Sequence, residues 1–81
     1  MTAIAISQNA YEALMSKDYD LAFKLYKNLV EQNNPVAYYY LGYLYFKGYG
    51  VKKDTKKAFE LYLESAVKEV TLGQFEVALM L

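Results

Sequence analysis

Eighty-one residues leave room for one small domain, and a chain this short buries only roughly 60% of its unfolded surface. Nine Lys balance nine acidic residues with no Arg, so the basic excess and bidentate fork of a nucleic-acid binder are missing. With no Cys and no His, disulfides, thiol nucleophiles, Cys or His metal sites and histidine acid–base chemistry are excluded, while a 56% apolar content with ten Tyr argues for a folded chain.

The start, Met1-Thr2-Ala3-Ile4-Ala5-Ile6, lacks a basic n-region and is interrupted by Ser7, Gln8 and Asn9, so it does not read as a signal peptide. No apolar run approaches the ~20 residues that cross a membrane. The expected location is the cytoplasm, with a periplasmic or secreted one left open. A first helix is predicted from about Ala3 to Met15, with Ile6, Ala10, Ala13 and Leu14 on one stripe. Ser16-Lys17-Asp18 breaks it. Asp18 or Asp20 caps a second helix through about Gln32, whose stripe is Leu21, Ala22, Leu25, Tyr26, Leu29 and Val30. Asn33-Asn34-Pro35 is a boundary, since Asn34 can accept from the next helix's free N–H groups and Pro35 suits a first helical position. The third helix runs from Pro35 to about Lys47 and ends at Gly48-Tyr49-Gly50. Asp54 caps a fourth, about Thr55 to Glu69. Thr71-Leu72-Gly73-Gln74 matches a capping box, so a fifth should begin near Leu72 and run out at Leu81.

Two of these helices repeat each other. Ala22-Phe23-Lys24-Leu25-Tyr26 recurs 36 positions on as Ala58-Phe59-Glu60-Leu61-Tyr62, with Asp18 and Asp54 four residues before each copy. Leu41, Gly42 and Leu44 recur as Val77, Ala78 and Met80. A period in the mid-thirties with helical patterning predicts a helical solenoid, usually a binding scaffold. The expected fold is all-α, a right-handed α–α superhelix of antiparallel helix pairs. Gly42, Ala10 and Ala78 should mark close helix approaches, with Ala22 and Ala58 doing the same on the partner helices. Tyr26 and Tyr62 should fill the space between pairs.

The stretch from Ala37 to Val51, containing Leu41-Gly42, Tyr45, Gly48 and Gly50-Val51, followed by Asp54 and Lys57-Ala58, resembles a Sel-one-like repeat (SLR), a branch of the tetratricopeptide-type solenoids. Tyr62, Ser65 and Ala66 fit its second helix, with Ser-Ala where the family usually has Ala-Ala. The first pair has a shorter loop, and Lys17-Asp18-Tyr19 before Ala22 and Tyr26 resembles an ordinary tetratricopeptide turn. One domain over 1–81 is expected, divided into a tetratricopeptide-like pair at 3–34, an SLR pair at 35–70 and the start of a third repeat at 71–81. The resemblance implies a protein–protein adaptor, often bacterial, whose partner is a protein or peptide, with neither nucleic acid nor membrane.

On the third helix, Tyr38, Leu41, Gly42 and Tyr45 read as core-facing, and Tyr39, Tyr43, Phe46 and Lys47 fall on another face at helical spacing. By the resemblance, that face lines a concave groove that grips ligands, continued by Ser7, Tyr11, Leu14 and Met15 of the first helix and by Phe75 and Leu79 of the fifth. The bland alternative is that several of these rings simply cover a short superhelix. Lys52, Lys53, Lys56 and Lys57 read as a solvated face rather than an anion site. Lys56 can pair with Glu60, and Glu64 with Lys68, at the i, i+4 spacing. The carboxylates are dispersed and no phosphate-binding glycine loop follows a strand, so no catalytic residue, cofactor or metal is assigned. Val77, Leu79, Met80 and Leu81 form an apolar tail that should meet a further repeat or a second copy, a homodimer being the simplest cover. Two functions follow: an adaptor gripping a partner segment, or an accessory segment packed on other repeats or on a catalytic domain.

Overall fold

The computed structural model describes residues 3–68 and 77–79. Its elements are α1 (Ala3–Met15), α2 (Tyr19–Glu31), α3 (Pro35–Lys47) and α4 (Thr55–Val67). No strand occurs among the described residues, and none of their helices is long and apolar enough to cross a membrane. The fold is all-α, built as two antiparallel helix pairs stacked through α2 and α3. The fourth helix stops at Val67, short of the expected Glu69. The expected fifth helix and its capping box at 71–74 lie mostly outside the described residues; 77–79 are helical.

The short turns follow from residues that serve two helices at once. Lys17 is left-handed (φ 65°), the Asp18 N–H donates to the Ala13 carbonyl at 2.8 Å, and the Lys17 N–H to the Leu14 carbonyl at 3.1 Å. These two bonds form the Schellman closure, in which consecutive N–H groups satisfy carbonyls of the last turn. Asp18 then caps α2, its carboxylate accepting from the Leu21 N–H. The α2–α3 turn repeats the device. Asn33 is left-handed (φ 63°), the Asn34 N–H donates to the Leu29 carbonyl at 3.0 Å, and Asn34 Oδ1 accepts from the Val36 and Ala37 N–H groups. Tyr38 fastens this turn, its hydroxyl donating to Asn33 Oδ1 at 2.8 Å. Asp54 Oδ1 caps α4 by accepting from the Lys57 N–H at 3.0 Å.

The core is built from small residues and two large rings. Ala10, Ala22, Ala37, Leu44, Leu29 and Ala58 are fully or almost fully buried, as are Tyr26 and Tyr62. A Cβ added at Gly42 would stand 3.0 Å from the Tyr62 ring and 3.2 Å from the Ala58 carbonyl, so α3 and α4 cross closely enough that even a methyl group would be crowded. This accounts for the small residue expected there, whereas Ala78, offered as its counterpart, is exposed.

Two other core assignments change. Leu21 is exposed, because the apolar stripe of α2 is wider than its contact with α1. On α3, Ala37 and Leu44 are buried more deeply than Tyr38 and Tyr45, which are partly buried and pack against the core from its edge. Lys68 sits with its ammonium 5.3 Å from the Tyr38 ring centroid, a cation–π contact.

The longer connection between α3 and α4 ties the two pairs together. Gly48 and Gly50 are left-handed (φ 73° and 72°), which folds the loop back onto the start of α2. There Tyr49 stacks on Tyr19 at 4.1 Å between centroids and 12° between planes. The Asp54 N–H returns to the Tyr45 carbonyl at 2.9 Å.

Candidate functional site

The first helices of the two pairs, α1 and α3, border a groove. Its centre is a cavity of about 180 Å³ lined by Tyr11, Leu14 and Met15 of α1 and by Tyr39, Tyr40 and Tyr43 of α3. Tyr11 and Tyr40 also line a wider opening of about 530 Å³ toward Ser7, Gln8 and Val36, with Tyr26 as part of its wall. Leu14, Met15 and Tyr43 continue into a compartment of about 200 Å³ that ends at Lys17, Tyr19 and Tyr49. Shared walls make the three compartments one groove along α1 and α3.

Ring contacts hold the groove walls. Tyr40 stacks on buried Tyr26 at 5.1 Å and 22°, and meets Tyr11 edge-on at 6.0 Å. Tyr39 meets Tyr40 edge-on at 5.1 Å and leans on Tyr62 at 5.5 Å. Tyr43 meets Tyr49 edge-on at 6.0 Å. Pairs of this geometry contribute about 0.5–1.5 kcal/mol each beyond area burial. In the central compartment Tyr11 and Met15 are the exposed members, at 47% and 58%.

Burial raises the Tyr26 hydroxyl well above its ordinary pKa of 10, with the Tyr40 and Tyr11 hydroxyls adding to it; Tyr40 is raised by burial and then by Tyr11. The folded state therefore keeps these protons where the unfolded chain has lost them. Stability tied to them is fully present below pH 10 and falls as pH rises beyond it. Urea midpoints should decline above pH 10, and the decline should shrink in Tyr26→Phe, which has no proton to lose. An equal decline in both proteins would refute the assignment.

Of the residues expected on the concave face, Tyr11, Tyr39 and Tyr43 meet in the central cavity, together with Leu14 and Met15, and Ser7 lines the wider opening. Phe46 and Lys47 are exposed and stand outside the lining of these compartments. Phe75, Met80 and Leu81 lie outside the described residues. Val77 is half-buried and Leu79 is exposed. Tyr40 is the member that sequence reasoning missed, although its spacing of four from Val36 and three from Tyr43 puts it on one stripe with them. Lys52, Lys53, Lys56 and Lys57 are all exposed, and Lys57 shares a surface depression with Glu60 and Glu64, so the charges there are mixed. Among the described residues no group of acidic side chains is placed to hold a metal ion.

Comparison with protein families gives two consecutive matches to the Sel1 repeat, at residues 6–34 and 35–66. The boundary between them is the Asn34–Pro35 junction where α3 begins. Comparisons with curated proteins and with solved structures give no match.

Proposed function

The chain belongs to the Sel1 repeat family, whose repeats generally mediate protein–protein interaction, and from that premise we propose a non-catalytic adaptor that grips a partner segment along the α1–α3 groove. The observation that carries this reading is the convergence of Tyr11, Met15, Tyr39 and Tyr43 on one open cavity. Tyrosines present a large contact area at low entropic cost, and Met adapts to irregular surfaces. Tyr11 suits the test best, because it is half exposed, whereas Tyr39 also supports Tyr62.

Peptides selected from a random display library on the immobilised chain should lose about tenfold or more in affinity for Tyr11→Ala and for Met15→Ala. Far-ultraviolet circular dichroism should be unchanged in both variants. Selected peptides that bind both folded variants at parent affinity would place the interaction elsewhere.

A second reading, assembly with other repeats or with a second copy, is favoured by a different surface. Leu63 and Val67 on α4 are exposed at 45% and 70%, and Leu79 at 65%. The proposed contact uses Val77 and Leu79, with Met80 and Leu81 beside them in sequence. Light scattering over a concentration series should show a dimer that Leu79→Glu shifts toward monomer. A parent chain that stays monomeric throughout would remove the homodimer.

A further inference from the structure

We propose that Tyr19 and Tyr49 form an oxidative cross-linking site, at which a one-electron oxidant fed by hydrogen peroxide joins the two rings as dityrosine and pins the α3–α4 loop to the first turn of α2. The chain holds ten Tyr and no Cys, Trp or His. One-electron oxidation therefore falls on its phenols, whereas its methionines take up oxygen atoms. This site stands apart from the adaptor reading and needs no groove ligand.

Ring geometry selects this pair. Two rings can bond without the fold opening only where they already touch. Tyr19 and Tyr49 stack with centroids 4.1 Å apart and planes at 12°. Both are half-buried, so an oxidant reaches their edges. Tyr26 and Tyr40 also stack, but at 5.1 Å and 22°, and Tyr26 is closed off from solvent. Tyr40 meets Tyr11 and Tyr39 edge-on, as Tyr43 meets Tyr49, which holds their ring carbons out of register for coupling.

The backbone holds the two rings together. Gly50, next to Tyr49, turns left-handed and lies against the Tyr19 carbonyl and the Asp20 nitrogen. Burial, then the Tyr49 and Tyr43 hydroxyls, raise the Tyr19 hydroxyl above its ordinary pKa, so the Tyr19 and Tyr49 oxygens sit at the same end of the stack. The ring carbons ortho to those oxygens are then neighbours, at an effective concentration far above that of a second chain in dilute solution. In the reaction each phenol gives up one electron and its hydroxyl proton, and the two phenoxyl radicals join at the ortho carbons. The hydrogens on those carbons then move to the oxygens and restore two phenols. One hydrogen peroxide accepts the two electrons and two protons and leaves as two waters. The new bond closes a loop between positions 19 and 49, which constrains the unfolded chain as a disulfide does.

The test treats the dilute chain with a haem peroxidase and hydrogen peroxide, isolates the monomer on a denaturing gel and digests it with trypsin. Cleavage after lysine leaves Tyr19 as the only tyrosine of peptide 18–24 and Tyr49 as the only tyrosine of peptide 48–52. Mass spectrometry should find these two peptides joined and lighter than their sum by two hydrogen atoms. The linked monomer should show dityrosine fluorescence and unfold at a higher urea concentration than the untreated chain. Tyr19→Phe and Tyr49→Phe keep an aromatic ring in the stack but remove one phenol, and each should lower dityrosine in the monomer by about tenfold or more. The proposal fails if the parent monomer yields no such linked peptide, or if another tyrosine pair carries most of the dityrosine. It fails equally if Tyr49→Phe, folded by circular dichroism, forms as much dityrosine as the parent. A linked chain that unfolds at the untreated midpoint would overturn the pinning of the loop.

Discussion

Gly50→Ala is expected to lower the urea denaturation midpoint well below that of the parent chain. Gly50 holds φ 72°, a left-handed conformation costing an L-residue about 1–2 kcal/mol. Its new Cβ would also stand 2.7 Å from the Tyr19 carbonyl carbon and 3.2 Å from the Asp20 nitrogen. Those are backbone atoms of the first turn of α2, so no side chain can swing aside. The loop must lift, and with it the Tyr49 ring stacked on Tyr19. Overpacking of that kind adds roughly 1–3 kcal/mol. A total of about 3 kcal/mol is a large share of the stability a chain of this length has, about 4–12 kcal/mol. Gly48 supplies the control. It has nearly the same φ, 73°, but a Cβ there would stand 3.1 Å from the Lys53 Cβ and 3.3 and 3.4 Å from the Lys53 nitrogen and Cα, a looser approach than the one at Gly50. Gly48→Ala should therefore cost about 1–2 kcal/mol. Urea denaturation of both variants decides the matter: equal midpoints would mean that the Gly50–Tyr19 approach does not constrain the fold.

Why Gly50 matters was not legible in the sequence, although its place in a helix-ending loop was. A helix stop is a local property. Asp18, Asn34 and Asp54 announce their caps because the capping side chain and the N–H groups it satisfies lie within three residues. The clash at Gly50 is with a residue far away in sequence, and depends on where the loop lands. The same distinction explains α3. Tyrosines occupy every side of that helix, so periodicity does not say which ring faces the core, and Tyr40 looked no different from its neighbours. Its role is set by Tyr26 of α2 across the interface between pairs. Ala37 and Leu44 were hidden by the same uniformity. Tyr39 and Tyr43 were legible because helical spacing groups them on one face, and the family resemblance implied that this face, with the matching face of α1 that carries Tyr11, lines a groove. Phe46 and Lys47 share that spacing, yet the groove compartments close at Tyr43 and Tyr49 before reaching them.

Tyr26→Ala should be the most damaging truncation, and its consequence should reach the groove. Tyr26 is 1% exposed, packs within the core and carries the Tyr40 ring on its face. Removing a buried ring of that size costs about 3–5 kcal/mol, since a rigid shell of alanines and leucines collapses only partly into the void. That is a large share of the stability of a small domain, so thermal melting should show a Tm lower by about 12 °C or more. Tyr26→Leu refills part of the volume and should fold. It removes the flat surface that orients Tyr40, however, and Tyr40 in turn meets Tyr11 and Tyr39 edge-on. A folded Tyr26→Leu variant should therefore bind groove ligands more weakly, although a leucine in the core touches no peptide directly. A Tyr26→Ala chain that melts within a few degrees of the parent would remove Tyr26 from the core. A folded Tyr26→Leu chain with parent affinity would show that the groove does not depend on the stack beneath it.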